Sequence, residues 1–211
     1  MKKYVLINGK IKKFKKKITV SADKSLSIRW VLMAAQAVGK SIAYNLLNSE
    51  DVNNALIAVK KLGVKVIKKK NLCQINGVGL NGFSLKNNTI IDAGNSGTLA
   101  RLIFGVLAKS NKTIILKGDK SLSKRDFSRV IKPLKKFGLI FKSNKNNLPL
   151  KFKGTNYLTP IKYEELKGSA QVKSCILLAA LNTPGKTIIR CFPSRDHTER
   201  LFKFLNLPIK I

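Results

Sequence analysis

NSGTLARLIFGVLAKSNKTIILKGDKSLSKRDFSRVIKPLKKFGLIF, Asn95 to Phe141, decides the fold, because the chain repeats its order of parts twice more. A hydroxyl-bearing cluster leads into a small-residue-rich apolar run (LIFGVLA). A turn and a β-rich segment (TIILKG) follow. A polar turn (SKRDF) then opens a second amphipathic stretch that closes on Phe137-Gly138. Lys24 to Val66 repeats the order with SIAYNL, NSEDV and VNNALIAVKKLG. Gly168 to Ile211 repeats it with CILLAAL, TIIRCF and SRDHT. A period of this kind is sought before any other pattern, since each copy is one supersecondary unit.

The second stretches carry a helical stripe: Val52, Leu56, Val59 and Leu62 recur at spacings of four and three. Gly63 and Gly138 read as helix stops followed by short strands. Pro133 predicts a kink or a later start for the second of these helices. The first helices are apolar on nearly all sides and read as interior. The result is an α/β chain of three repeats, near 24–66, 95–141 and 168–211, with buried parallel helices and surrounding sheets. Residues 1–19 form an initial segment, and residues 20–211 the three-repeat domain.

The 211 residues hold 42 Lys+Arg against 10 Asp+Glu, a formal net charge of +32. That balance attracts anions, and nucleic acid is the default partner. Lysine is spread along the whole length, however, and no basic strand interleaves with aromatics, so a stacking platform is absent. A general compositional bias explains most of the charge, and nucleic acid is an unlikely partner. Cys73, Cys175 and Cys191 are widely spaced and odd in number, which fits a reducing compartment and a cytoplasmic protein. Cys175 lies in an apolar run and reads as a buried structural thiol. One histidine excludes a multi-histidine metal site. No apolar run is long enough to span a membrane.

The first helices start at Lys24-Ser25, at Asn95-Ser96-Gly97-Thr98 and at Ser169-Ala170-Gln171. A helix start leaves about four N–H groups unpaired and carries positive potential, so Ser, Thr or Asn caps it or an anion occupies it. Cations at such an end are unfavourable without a compensating anion. Yet Lys24, Arg29, Arg101 and Lys173 all lie there, and Arg125 and Arg195 occupy the turns before the second helices. Ligand binding is therefore expected for Lys24, Ser25, Arg29, Arg125 and Gln171. Arg101 and Lys173 fit equally well as partners of Asp51, Asp126 or Asp196. Arg29→Ala is expected to remove a ligand contact and leave folding largely intact.

Other patterns do not qualify. VGKS (Val38–Ser41) lacks the glycine and the strand-loop setting of a phosphate loop, and reads as a helix-to-strand turn. GVGLNG (Gly77–Gly82) opens no helix. His197 is solitary and reads as a surface or capping residue. Tyr163-Glu164-Glu165 reads as a polar loop, or as acids orienting a basic residue.

The same residues resemble a known family. ADKSLSIR, DAGNSGTLARL, GDKSLSKRDFSRVIKPL, GSAQVKSCILLAAL and PSRDHTE look like the amino-terminal half of 3-phosphoshikimate 1-carboxyvinyltransferases, the EPSP synthases. SAQVKS is similar to the glyphosate-tolerant subgroup. The resemblance implies one three-repeat domain of an inside-out α/β barrel. It implies transfer of the enolpyruvyl group of phosphoenolpyruvate to the 5-hydroxyl of shikimate 3-phosphate, without metal or cofactor, on the way to chorismate and the aromatic amino acids. Shikimate 3-phosphate would be held by Lys24, Ser25, Arg29, Ser169, Ala170, Gln171 and Arg195. Phosphoenolpyruvate would meet Lys24, Asn95, Gly97, Arg125 and Gln171, with Lys24 the catalytic assignment.

The chain departs from the family pattern at Ile28, Leu99-Ala100 and Asp126. Members run to about twice this length, and their proton-transferring acids lie in the other half. The chain is therefore expected to need a carboxy-terminal half, present as a separate chain or lost by truncation, toward which the initial segment crosses. Three alternatives stay open. One is the related transferase acting on UDP-N-acetylglucosamine, which the KSLSIR and SAQVKS blocks disfavour. The others are a nucleic-acid-binding basic protein and a non-catalytic half that works only with a partner.

Overall fold

The structure, a computed structural model, describes residues 6, 8–10, 13, 15–143 and 145–211. The first unit runs α1 (Lys24–Gln36), β1 (Val38–Tyr44), α2 (Glu50–Lys61), β2 (Lys65–Lys68) and β3 (Leu72–Val78). The second runs β4 (Thr89–Asp92), α3 (Gly97–Val106), β5 (Thr113–Lys117), the one-turn α4 (Lys120–Ser123), α5 (Ser128–Lys136), β6 (Ile140–Lys142) and β7 (Leu150–Lys153). The third runs β8 (Lys162–Glu165), α6 (Ala170–Ala180), β9 (Ile188–Cys191) and α7 (His197–Phe204).

Each unit forms its own sheet. The orders are β1-β3-β2, β4-β5-β7-β6 and β8-β9. A parallel pair brackets the interior helix twice: β4 with β5 across α3, and β8 with β9 across α6. The other ladders are antiparallel.

The apolar runs bury as their composition dictates. Nine residues of α1, eight of α3 and seven of α6 are buried. The stripe on α2 is buried at Val52, Leu56 and Val59, with Leu62 at its C-cap. Gly63 and Gly138 follow α2 and α5 at φ of 86° and 104°, the left-handed turn that ends a helix cheaply only at glycine. Pro133 lies inside α5. The helix starts at Ser128, directly after the SKRDF turn, and KSLS winds separately as α4, which periodicity did not foretell.

The interior helices α3 and α6 lie parallel and in register. Thr98 meets Gln171 at an offset of 73 residues, and Gly105 meets Leu178 at the same offset. Gly105 is required there: a Cβ on it would stand 2.2 Å from the Cys175 carbonyl oxygen. Gly105→Ala is therefore expected to prise the helices apart and cost about 1–3 kcal/mol of stability, the range for an overpacked core. A urea melt measures this, and an unshifted midpoint would mean that the two backbones separate freely.

Candidate functional site

The three interior helix starts are stitched together by side chains. Arg29, one turn into α1 and buried, donates from Nη1 to the Ser25 carbonyl (3.0 Å). Its Nη2 donates to Ser174 Oγ of α6 (2.9 Å) and its Nε to Thr198 Oγ1 of α7 (2.8 Å). Ser174 also donates to the Ala170 carbonyl (2.6 Å), which ties this point to the first residue of α6. Gln171 Nε2 donates to Thr98 Oγ1 (3.0 Å), joining the start of α6 to that of α3. The expected convergence is present, since one chain of hydrogen bonds runs from Ser25 through Arg29 and Ser174 to Ala170, beside the Gln171–Thr98 link.

Each helix start is capped in its own way. Asp23 caps α1, accepting from the Leu26 N–H at 2.7 Å, so Ser25 is free of that duty. Ser96 caps α3 and Ser169 caps α6. No acid lies in the first turn of any of the three. The positive ends of these helices therefore meet added cations with little internal compensation.

At the start of α3, Gly97 leaves the space that two guanidinium groups use. A Cβ there would lie 2.9 Å from Nη1 of both Arg101 and Arg125. Arg101 donates to the Gly97 carbonyl (3.1 Å) and lies over the Phe127 ring, 4.8 Å from its centroid. Burial, and then the neighbouring Arg125 and Arg129, pull the Arg101 guanidinium below its ordinary pKa. Two forks meeting at one backbone glycine form an oxyanion clamp in waiting.

Some expected residues turn elsewhere. Lys24 pairs with Asp51 (3.2 Å) and Asn95 donates to Asp119 (2.5 Å); both Lys24 and Asn95 are exposed. Arg195 is exposed in the loop before α7, near enough to Arg29 to lower its pKa slightly. Ser169 receives its backbone hydrogen bond from within: its N–H donates to Glu165 Oε2 (2.6 Å).

Three expectations need correction. Arg101 and Lys173 pair with none of Asp51, Asp126 or Asp196: Arg101 has an aromatic face, and Lys173 forms a buried ion pair with Glu199 (2.5 Å). Tyr163-Glu164-Glu165 is strand β8 and not a loop. Glu165 is buried there, and although burial pushes its carboxyl up, the Ser169 N–H and Arg129 (2.9 Å) hold it below the usual carboxylate range. Arg29 is a buried cross-link between three helices, so its removal cannot leave folding untouched.

Sequence reasoning missed Thr98, Ser174, Thr198 and Glu199. The signal for Glu199 was available: in PSRDHTE it is an acid one turn past the Arg195 turn, and Lys173 is the lone cation in the SAQVKS helix. Cys175 is buried in α6, and desolvation pushes its thiol up to about 12, the state of an inert packing residue. Two surface grooves, of about 400 and 510 Å³, are lined by other residues, including Phe83 and Lys109 in one and Lys136 and Tyr163 in the other. Among the described residues, no helix is long and apolar enough to cross a membrane.

Comparison with known proteins agrees with this architecture. The profile of the family described as EPSP synthase (3-phosphoshikimate 1-carboxyvinyltransferase) matches residues 9–211. The 3-phosphoshikimate 1-carboxyvinyltransferase of Ruthia magnifica is 45% identical over 195 residues, covering 92% of this chain and 45% of that protein. The enzyme of the same name from Zymomonas mobilis is 42% identical over 201 residues, with 94% and 44% covered. The solved EPSP synthase of Acinetobacter baumannii superposes with a TM-score of 0.87 at 37% identity, over 94% of this chain and 45% of that one. The chain spans about half the length of the curated relatives it matches. With its fold and its sequence both aligned to their amino-terminal part, this chain belongs to the EPSP synthase family.

Proposed function

We propose that this chain is the amino-terminal half of a 3-phosphoshikimate 1-carboxyvinyltransferase and supplies most of its shikimate 3-phosphate site. In this reading the enzyme transfers the enolpyruvyl group of phosphoenolpyruvate to the 5-hydroxyl of shikimate 3-phosphate and releases phosphate. The observation that carries it is the hydrogen-bonded meeting of the α1, α3 and α6 starts with Arg29, Arg101 and Arg125 beside them.

Both substrates are phosphorylated carboxylates, and forked guanidinium groups suit their oxygens. Ser25, Arg29, Ser169, Ala170, Gln171 and Arg195 take shikimate 3-phosphate. Asn95, Gly97, Gln171 and Arg125 take phosphoenolpyruvate. Lys24, released from Asp51, reaches between the two and stabilises charge that develops during transfer. The proton-transferring acids come from a carboxy-terminal half, toward which residues 1–19 cross; residues 1–5, 7, 11, 12 and 14 lie outside the described residues. SAQVKS places the enzyme with the glyphosate-tolerant type. Three unpaired cysteines suit the cytoplasm.

Calorimetric titration of the purified chain with shikimate 3-phosphate, alone and with the carboxy-terminal half of the Ruthia magnifica relative, tests this. Binding without turnover, with turnover appearing on addition of that half, is expected. Arg125→Ala should then weaken phosphoenolpyruvate at least about tenfold, the loss of one charge-assisted hydrogen bond, and leave shikimate 3-phosphate unchanged. No binding by either preparation, combined with salt-sensitive binding of duplex DNA, would instead identify a nucleic-acid binder.

A further inference from the structure

The second and third units place a parallel strand just ahead of their interior helix. β4 ends at Asp92, four residues before the Ser96 cap, and β8 ends at Glu165, four before the Ser169 cap. Each pairs with the strand that follows the helix, β5 or β9. In the first unit the matching strand is β1, and its only ladder is with β3. Its other edge is bare.

The register tells which groups that edge offers. The Gly79 N–H donates to the Ala37 carbonyl and the Asn45 N–H to the Asn71 carbonyl, so residues 37 and 45 are hydrogen-bonded positions. The ladder between them is unbroken. Gly39, Ser41 and Ala43 therefore bond to β3, and Val38, Lys40, Ile42 and Tyr44 direct their N–H and C=O outward. Val38, Ile42 and Tyr44 are 92%, 40% and 72% exposed. Such an edge is a template for one more strand.

Spacing assigns that position to Lys16–Thr19, four residues ahead of the Asp23 cap. That segment is exposed and unpaired, although its tether keeps it at high local concentration. It is also doubly basic, next to an edge that carries Lys40, in a chain of net charge +32. The edge is shaped for a strand but not for this one.

We infer that the outer edge of β1 receives a parallel strand from the carboxy-terminal half, giving a four-stranded sheet in the order seen in the second unit. The inference rests on the proposed need for that half. The incoming strand carries an apolar residue where β4 has its buried Ile91, and it is less basic than Lys16–Thr19. The contact is main-chain to main-chain, the mode of strand addition.

Amide hydrogen exchange on the whole chain, with and without the carboxy-terminal half of the Ruthia magnifica relative, tests it directly. Ser41 and Ala43 should be protected in both states. Lys40, Ile42 and Tyr44 should gain protection of about tenfold or more only on mixing. Ile42→Pro removes one outward donor and spares the β3 ladder, a placement that edge strands tolerate. It should retain wild-type melting and shikimate 3-phosphate binding while association weakens at least about tenfold. If the halves associate while the β1 amides stay unprotected, or if Ile42→Pro associates as wild type does, the inference fails and the functional reading stands. If they do not associate at all, the inference also fails, whereas the functional reading is decided by the substrate titration of the wild-type chain.

Discussion

Glu199→Gln is expected to lower stability by about 3–5 kcal/mol, the cost of breaking a buried ion pair from one side. Glu199 Oε1 lies 2.5 Å from Lys173 Nζ, and both side chains are 9% exposed. Arg29 lies close enough that Glu199 supports its charge against the desolvation that lowers its pKa. One carboxylate thus serves two buried cations beside the positive end of α6. Neutralising it leaves Lys173 in a dry site with no ionic partner, and α7 is held to α6 largely through this point. Urea unfolding measures the loss. The double variant Lys173→Met with Glu199→Leu is the control, since an apolar pair of similar volume replaces a buried ion pair at little cost or with a gain. It should recover most of the stability. A Glu199→Gln protein that melts with the wild type would show that the pair is idle.

Arg29→Met should bring the next largest loss, about 3 kcal/mol, because a hydrogen bond to a charged donor contributes roughly 1.5–3 kcal/mol and three are made here. The sum is reduced because the partners are not all orphaned: Ser174 and Thr198 remain hydrogen-bonded to each other at 2.7 Å. The variant also loses the fork proposed for the shikimate carboxylate. Arg29→Lys separates the two roles. It keeps the charge but cannot span Ser25, Ser174 and Thr198 together, so its stability should fall less than its affinity for shikimate 3-phosphate. Thermal melts and calorimetry on the two variants decide this. Equal losses of stability and affinity in both would make Arg29 a cross-link only.

The fold was legible wherever local chemistry dictates it. The stripe from Val52 to Leu62, the stops at Gly63 and Gly138, and the apolar all-round helices each follow from periodicity and backbone freedom within one segment. The three copies fixed the order of parts. Partnerships across units were not legible. Nothing within SAQVKS tells Lys173 that its carboxylate lies 26 residues on in α7 and not at Asp51, which Lys24 takes instead. Tyr163-Glu164-Glu165 read as a loop because two adjacent acids oppose strand propensity; a parallel partner and Arg129 overrule it. Asp23 was passed over as a cap because the hydroxyls beside it looked equally able, and only backbone geometry separates them.

Gly105 against the Cys175 carbonyl has a mechanical consequence. Helices that slide past one another do so by letting intervening side chains switch rotamer, as in shear motion. Between α3 and α6 at this level there is no side chain to switch, only peptide against peptide. The pair cannot creep by small steps, so the three anchored helix ends must swing as one stiff block about a pivot outside them. Any gating of this surface then has to be sought in the connections at its rim.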